Sequence, residues 1–547
     1  MNITKNAITL SMLVLLGGCI SSSDDSDQKP DEGADWELRE AIVTDLAKVN
    51  QWYTPANERV QSILDSNGHQ TSDKVAKNII LFIADGMGIS SHTSGRIYTA
   101  QEKHKNGEYP EFQGGEEYQS SFEQFPFAGS VKTYASNGQT PDSSSTASAI
   151  MSGVKINKYA VNVMDSIGNR DCPEDGTRLL TALDLAKLAG KGTGVVTNTR
   201  ITHATPASTY ASIQLRDIED DTHGDKNNCV DTQDIAEQLV RYRYKFQDGF
   251  EGVTASFDSG IDVVLGGGSR SFYPAEMDEG RRQDGVNLVE EWLDDSKGLF
   301  VNDKHQLAEA NELPVFGLFG FTHLEYEIDR ENRSEEPSLE AMTSKAIELL
   351  EAQDNDEGYF LVIEGGRLDQ AHHAGWGNIA LTEYKMFEQS IAKALEMVDL
   401  DETMIVVTAD HSHTFTMSGE TQRGNPISGL VTDINDDLVR DDEGLPFTTL
   451  HYANSGAGLY GAHGHATFEG MQRINLEDKN TESVVYRQQA AVQAAWDGGT
   501  HAGEDIGIWA TGVGSDLVRG NIEQNSIFHI LNTVGDLERS ATQKLTQ

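Results

Sequence analysis

Carboxylates and imidazoles recur in this chain just after short apolar runs, and no cysteine stands among them. Asp85 follows residues 78–84, Glu364 and Asp369 follow 359–363, Asp410 and His411 follow 404–408, and His501 precedes 506–510. Asp369 and His373 are four residues apart, so on a helix they share one face and can grip one ion. An oxygen- and nitrogen-rich set of this kind suits zinc held by His and Asp, or harder cations on the carboxylates. A second segment, Thr140-Pro141-Asp142-Ser143-Ser144-Ser145-Thr146-Ala147, leads from Pro and small polar residues into an Ala-rich helical stretch. It places Ser143 near a helix N-terminus, where the dipole and free N–H groups favour an anion. Taken singly, each residue has an ordinary structural use, and Ser143 alone reads first as a helix cap. The case for chemistry rests on convergence.

Convergence requires elements that bring these positions together. Runs 78–84, 194–197, 262–265, 359–363, 404–408 and 506–510 are rich in β-branched and apolar residues, the pattern of strands buried on both faces. Helical spacing covers 36–49, 57–64, 179–189, 338–353 and 381–398. The alternation predicts an α/β fold: a three-layer sandwich with a large, mostly parallel sheet and helices on both faces. Ligands bind beyond the carboxyl ends of such strands, so residues as far apart as Asp85 and His501 can meet. Residues 418–499, rich in Gly, Asn and Asp with weak periodicity, read as an inserted, crown-like subdomain.

The charge narrows the function further. With 87 acidic residues against 42 basic ones the formal net charge is −45, which repels nucleic acid and anionic membranes. It also repels a phosphorylated substrate, so a site for one needs local positive charge of the kind metal ions supply. Simple solubility and life in a saline habitat both fit this composition. At the N-terminus, Lys5 and the apolar run 7–16 are too short to span a bilayer. Leu16-Gly17-Gly18-Cys19 resembles a bacterial lipoprotein signal. That resemblance implies a signal peptide at 1–18, lipidation of Cys19, a flexible acidic tether at 19–35 and a catalytic domain at 36–547. The protein is then exported, periplasmic or anchored in the outer membrane of a Gram-negative-type cell; a plain secretion signal is the alternative. Cys172 and Cys229 remain, as one disulfide in an oxidising compartment or as two buried thiols.

Several segments, in order, resemble an alkaline phosphatase over about residues 77–534: Asp85-Gly-Met-Gly88, Pro141-Asp-Ser143, Gly153-Val-Lys155, His203-Ala-Thr-Pro-Ala207, Glu364-Gly-Gly-Arg-Leu-Asp369, His372-His373, Thr408-Ala-Asp-His411 and Thr500-His-Ala-Gly-Glu504. The resemblance implies hydrolysis of a broad range of phosphate monoesters to alcohol and inorganic phosphate. Ser143 is implied as nucleophile, forming a phosphoserine intermediate. One zinc is implied at Asp369, His373 and His501, a second at Asp85, Asp410 and His411, and magnesium at Asp85, Thr205 and Glu364. Arg216 falls at the family spacing after His203 for the phosphate-binding arginine, and its planar fork suits two phosphate oxygens. Asp142, His203, Gln370 and His372 stand beside these groups. The animal-type branch has a disulfide where Cys172 and Cys229 fall, and most relatives are homodimers.

Some positions depart from the family pattern. Gln370 replaces the usual Lys, His or Trp, and His203 is expected to tune the magnesium surroundings through water. Phe319-Gly320 lacks the glutamate of the family's calcium site, so calcium is not expected. Ser143 lacks the flanking signature of sulfatases. His451, His463 and His465 are expected to have a loop or rim role, and the run 217–225 is expected to be a solvated acidic loop.

Overall fold

Strand β1 (Asn78–Ala84) is buried at all seven positions. Successive strand residues face opposite sides of a sheet, so this sequence demands cover on both faces. β7 (Tyr359–Gly365) and β8 (Thr403–Ala409) share the pattern. In the computed structural model these three strands form the middle of a ten-stranded sheet, with β1 paired in parallel to β7 on one side and β8 on the other. The structure describes residues 50–65, 74–110, 112–224, 229, 231–277, 280–333, 335–353, 355–456, 475–493 and 498–546.

The remaining strands of this sheet are β2 (Phe127–Lys132), β3 (Gly192–Arg200), β4 (Val263–Gly267), β5 (Leu299–Val301), β6 (Val315–Leu318), β14 (Ile506–Gly512) and β15 (Gly520–Glu523), in the order β15-β2-β14-β8-β1-β7-β3-β4-β6-β5. From β8 to β5 every pairing is parallel, whereas β14 runs antiparallel to β8 and β2. The expected α/β sandwich is the observed one. Helices Ala182–Leu188, Leu339–Ala352 and Gly377–Met397 match three of the anticipated stretches, and Tyr53–Asp65 contains the fourth. Four neighbouring parallel strands, β8-β1-β7-β3, therefore present their carboxyl ends along one edge.

Beyond that edge lie two small sheets. β9 (Ser412–His413) pairs with β13 (His501–Ala502), setting His413 opposite His501. β10 (Phe415–Met417), β11 (Leu450–Ser455) and β12 (Ala490–Gln493) form the other. Cys172 and Cys229 are joined as a disulfide, with Cα atoms 5.5 Å apart.

The acidic run 217–225 corrects an expectation. Among its described residues, Ile218, Glu219 and Asp220 are buried. Glu219 accepts two hydrogen bonds from Arg200 and one from the Thr202 hydroxyl, and Asp220 accepts from Arg281 and Ser271. Arginines from distant segments bring these carboxylates inside as paired charges, which a local charge count could not anticipate. His451 lies on β11, with its Nε2 3.3 Å from the Ser418 hydroxyl. The readings for residues 1–18, Cys19, 19–35, 36–49, His463 and His465 lie outside the described residues. Among the described residues no helix is long and apolar enough to cross a membrane.

Candidate active site

Ser143 opens the helix Ser143–Ser152. Asp142 caps that helix: its Oδ1 accepts from the Ser145 N–H and hydroxyl, and its Oδ2 from the Ser144 hydroxyl at 2.7 Å. The cap fixes the first turn and frees the Ser143 side chain to turn outward. Its Oγ lies 3.2 Å from His411 Nε2 and 3.5 Å from Asp85 Oδ1, beside a cavity of about 650 Å³. Asp142, Arg216, His203, Asp369, Gln370, His373 and His501 also line that cavity. Arg216 donates to Asp142 Oδ2 (3.0 Å) and to His203 Nε2 (3.1 Å), so its guanidinium is held at the wall.

Asp85 leaves β1, and Asp410 and His411 leave β8. His411 Nε2 is 3.4 Å from Asp85 Oδ1 and 3.3 Å from Asp410 Oδ2. Asp410 is oriented by the Gly86 and His411 N–H groups and by the Thr146 hydroxyl. The turn after Asp85 requires glycine: Gly86 has φ +77°, and a Cβ there would stand 2.7 Å from the His413 ring.

Asp369 and His373 share the short helix Arg367–His373, as their spacing required. His373 Nδ1 faces the Gly499 carbonyl at 2.7 Å and His501 Nδ1 faces that of Pro141 at 3.0 Å. Carbonyls only accept, so both imidazoles donate from Nδ1 and keep a lone pair on Nε2. These Nε2 atoms are 3.0 Å apart, and 3.4 and 3.6 Å from Asp369 Oδ1. Three lone-pair donors thus face one region, an arrangement that a cation satisfies. Ligand atoms around a tetrahedral zinc lie roughly 3.3 Å from one another, given bonds of about 2.0–2.1 Å. The separations in this cluster, and those among Ser143, Asp85, Asp410 and His411, fall around that value.

The third cluster lies deeper. Donor atoms of Asp85, His203 and Glu364 are within 4.8 Å of one another. Glu364 Oε2 accepts from the Thr197 and Thr199 hydroxyls of β3. Among the described residues, Glu364 Oε1, Asp85 Oδ2, Thr205 Oγ1 and His203 Nδ1 are buried without a hydrogen-bond partner. Unpaired buried polar atoms are costly, and the oxygens of Asp85, Thr205 and Glu364, with His203 beside them, suit a hard cation such as magnesium.

Electrostatics point the same way. Burial, with Asp369, Asp410 and Glu364 close by, pushes the Asp85 carboxyl well above its ordinary range. Burial pushes Glu364 up to about 7 and raises Asp410. Asp369, despite burial, is held well below the usual carboxylate range by His373, His413 and His501. Burial pushes His411 down to about 4 and His501 to about 3, keeping both as neutral lone-pair donors. A crowd of buried carboxylates with neutral imidazoles is the charge state that bound cations stabilise.

Two more histidines lie behind these donors, with ring centroids 5.2 Å apart. His413 was absent from the anticipated set, yet its Nε2 bonds Asp369 Oδ1 and fixes that carboxylate. The signal lay in Asp410-His-Ser-His413, because alternate residues of extended backbone share a side. His372 lies away from the cavity, between the Ser91 hydroxyl (2.9 Å) and the Tyr452 hydroxyl (2.8 Å). Gln370 lines the cavity. Its Oε1 accepts from Arg367 at 2.8 Å, and its Nε2 is buried without a partner among the described residues.

A family model described as alkaline phosphatase matches residues 76–537. The tissue-nonspecific alkaline phosphatase of Rattus norvegicus is 35% identical over 503 residues, covering 88% of this chain and 87% of that protein. An alkaline phosphatase of Gadus morhua is 34% identical over 504 residues, covering 88% and 95%. Among solved structures, the Thermus thermophilus alkaline phosphatase aligns with a TM-score of 0.58 at 22% identity over 88% of this chain and 97% of its own. That of the Antarctic bacterium TAB5 gives 0.55 at 21% identity over 85% and 99%, a likeness of fold. With the motif order and the clustered donors already described, the match across residues 76–537 establishes that this chain belongs to the alkaline phosphatase family.

Proposed function

We propose that this protein hydrolyses a broad range of phosphate monoesters through a phosphoserine at Ser143, using two zinc ions and one magnesium. The observation that carries the proposal is the position of Ser143 Oγ, 3.2 Å from His411 Nε2 and 3.5 Å from Asp85 Oδ1 at the head of a helix beside Arg216. Asp369, His373 and His501 would hold one zinc; Asp85, Asp410 and His411 the other; Asp85, Thr205 and Glu364 the magnesium. A variant of the TAB5 enzyme is described with magnesium in its M3 site. When bound, such cations offset the charge of the entering and leaving oxygens and favour deprotonation of coordinated hydroxyls.

The chain's own residues supply the rest. Ser143 Oγ gives up its proton and bonds to phosphorus as the bond to the ester oxygen breaks, and the departing alcohol takes up a proton. Water then loses a proton and attacks phosphorus, the bond to Ser143 Oγ breaks as that oxygen takes up a proton, and inorganic phosphate leaves. Arg216 presents two N–H groups to phosphate oxygens. Asp142 secures it, and against the desolvation that burial imposes keeps its pKa raised. Gln370 Nε2, without a partner among the described residues, gives a neutral donor on a side chain that lines the same cavity. His413 and the Gly499 and Pro141 carbonyls orient the Asp369, His373 and His501 donors, the kind of support on which metal affinity depends.

The test is a side-by-side assay of metal-replete protein on a phosphate monoester, a phosphate diester and a sulfate ester. The monoester is expected to turn over fastest; preference for either of the others overturns the reading.

A further inference from the structure

Several residues lining the cavity are neither metal donors nor phosphate contacts, and one of them is an exposed aromatic. Tyr159 lines the cavity beside Asp142, is 47% exposed, and has φ +71°. A bulky residue in the left-handed region is an outlier that persists only where its surroundings fix it. The surroundings here are explicit. The Lys158 N–H donates to Asn137 Oδ1 (3.0 Å) and the Lys158 carbonyl accepts from Asn169 Nδ2 (2.9 Å). The Tyr159 N–H donates to Asp142 Oδ1 (3.1 Å), and the Tyr159 carbonyl accepts from the Arg216 N–H (2.7 Å). All four main-chain polar groups of the dipeptide are used. Two of the four bonds run to the residues that flank Ser143 and hold the phosphate-facing guanidinium.

The backbone is therefore fixed relative to the reacting centre, while the ring buries too little to serve the fold as core. Gly or Asn would hold the same φ with less strain, so packing and turn chemistry do not explain a tyrosine. A rigid, exposed aromatic face does suit stacking on a flat group of a ligand, and such stacking is tolerant of which flat group is offered. The Lys158 ammonium lies 5.3 Å from the ring centroid, completing an amphipathic rim on the cavity.

We propose that Tyr159 is a specificity-determining residue: an aromatic platform at the cavity wall that stacks on planar leaving groups, favouring nucleoside and aryl phosphates over aliphatic ones. This rests on the phosphomonoesterase reading above, and the test separates the two. Adenosine 5′-monophosphate and ribose 5-phosphate share the same primary-alcohol leaving group and differ by the base. Wild-type protein, Tyr159→Phe, Tyr159→Gly and Tyr159→Asn are assayed on both, the last two tolerating positive φ. The ratio of kcat/KM for the nucleotide over the sugar phosphate is expected to fall about five- to tenfold in the Gly and Asn variants. The loss is read in KM for the nucleotide, and Tyr159→Phe retains the ratio. Phenyl phosphate compared with glycerol phosphate gives the aryl arm. An unchanged ratio in both Gly and Asn variants, or an equal fall on both substrates, overturns the platform. A wild-type protein that hydrolyses none of the four substrates overturns the hydrolase reading and the platform with it.

Discussion

Replacing Glu364 with Gln probes the electrostatics that the site imposes on its own fold. Burial moves this carboxyl from its ordinary 4.5 up to about 7. An acid whose folded pKa is raised contributes stability that is fully present below the unfolded value and is lost as pH rises through the folded one. At roughly 1.4 kcal/mol per pH unit, the displacement makes an ionised Glu364 cost the metal-free fold about 3 kcal/mol above pH 7. Gln keeps the acceptor that Thr197 and Thr199 use and cannot ionise. The assay is urea unfolding of chelator-treated wild type and Glu364→Gln at about pH 5 and about pH 8.5. The variant is expected to gain about 3 kcal/mol on wild type between the two conditions. Saturating magnesium should stabilise wild type, by about 2.7 kcal/mol at a hundredfold excess over Kd, and leave the variant little changed. A stability difference that does not vary with pH, or a variant that loses ground at alkaline pH without metal, refutes the reasoning.

Three other substitutions probe the surroundings. Arg216→Ala should raise KM for monoesters and the inhibition constant of inorganic phosphate together, by tenfold or more, given charge-assisted hydrogen bonds worth about 1.5–3 kcal/mol; steady-state kinetics with phosphate as inhibitor checks this. Asn454 clamps Thr500, accepting from its N–H at 2.8 Å and donating to its hydroxyl at 2.9 Å, one residue before His501. Asn454→Ala should weaken zinc retention about tenfold or more, read by competition with a chelator. Serine at both Cys172 and Cys229 removes a cross-link between positions 57 residues apart and should lower unfolding free energy by about 3–4 kcal/mol, seen as a lower denaturant midpoint under non-reducing conditions.

What could be read from residues alone follows from which physical signals are local. The runs 78–84, 359–363 and 404–408 announce central strands because all but Asn78 and Thr408 are apolar or aromatic, and the ligands follow as the first charged residues beyond them. The i, i+4 spacing of Asp369 and His373 placed both on one helix, as observed. The helix Ile89–Lys105 gave no such signal, since it buries Ser91, His92, Ser94, Thr99 and Gln101 among its contacts, and apolar periodicity cannot register a polar buried face. Burial of Glu219 and Asp220 depended on Arg200 and Arg281 arriving from other elements. The grip of His413 on Asp369 depended on the turn at Gly86 and the meeting of β9 with β13. Such pairings arise only once the chain has folded.

The account turns on Ser143, and the most direct measurement is to trap its phosphorylated form. Metal-replete protein mixed with labelled phosphate monoester is quenched in acid, and the label is located by peptide mapping. The account predicts label on the peptide carrying Ser143, none in Ser143→Ala, and loss of nearly all turnover in that variant. Label on another residue, or a Ser143→Ala protein that hydrolyses the monoester as fast as wild type, contradicts it.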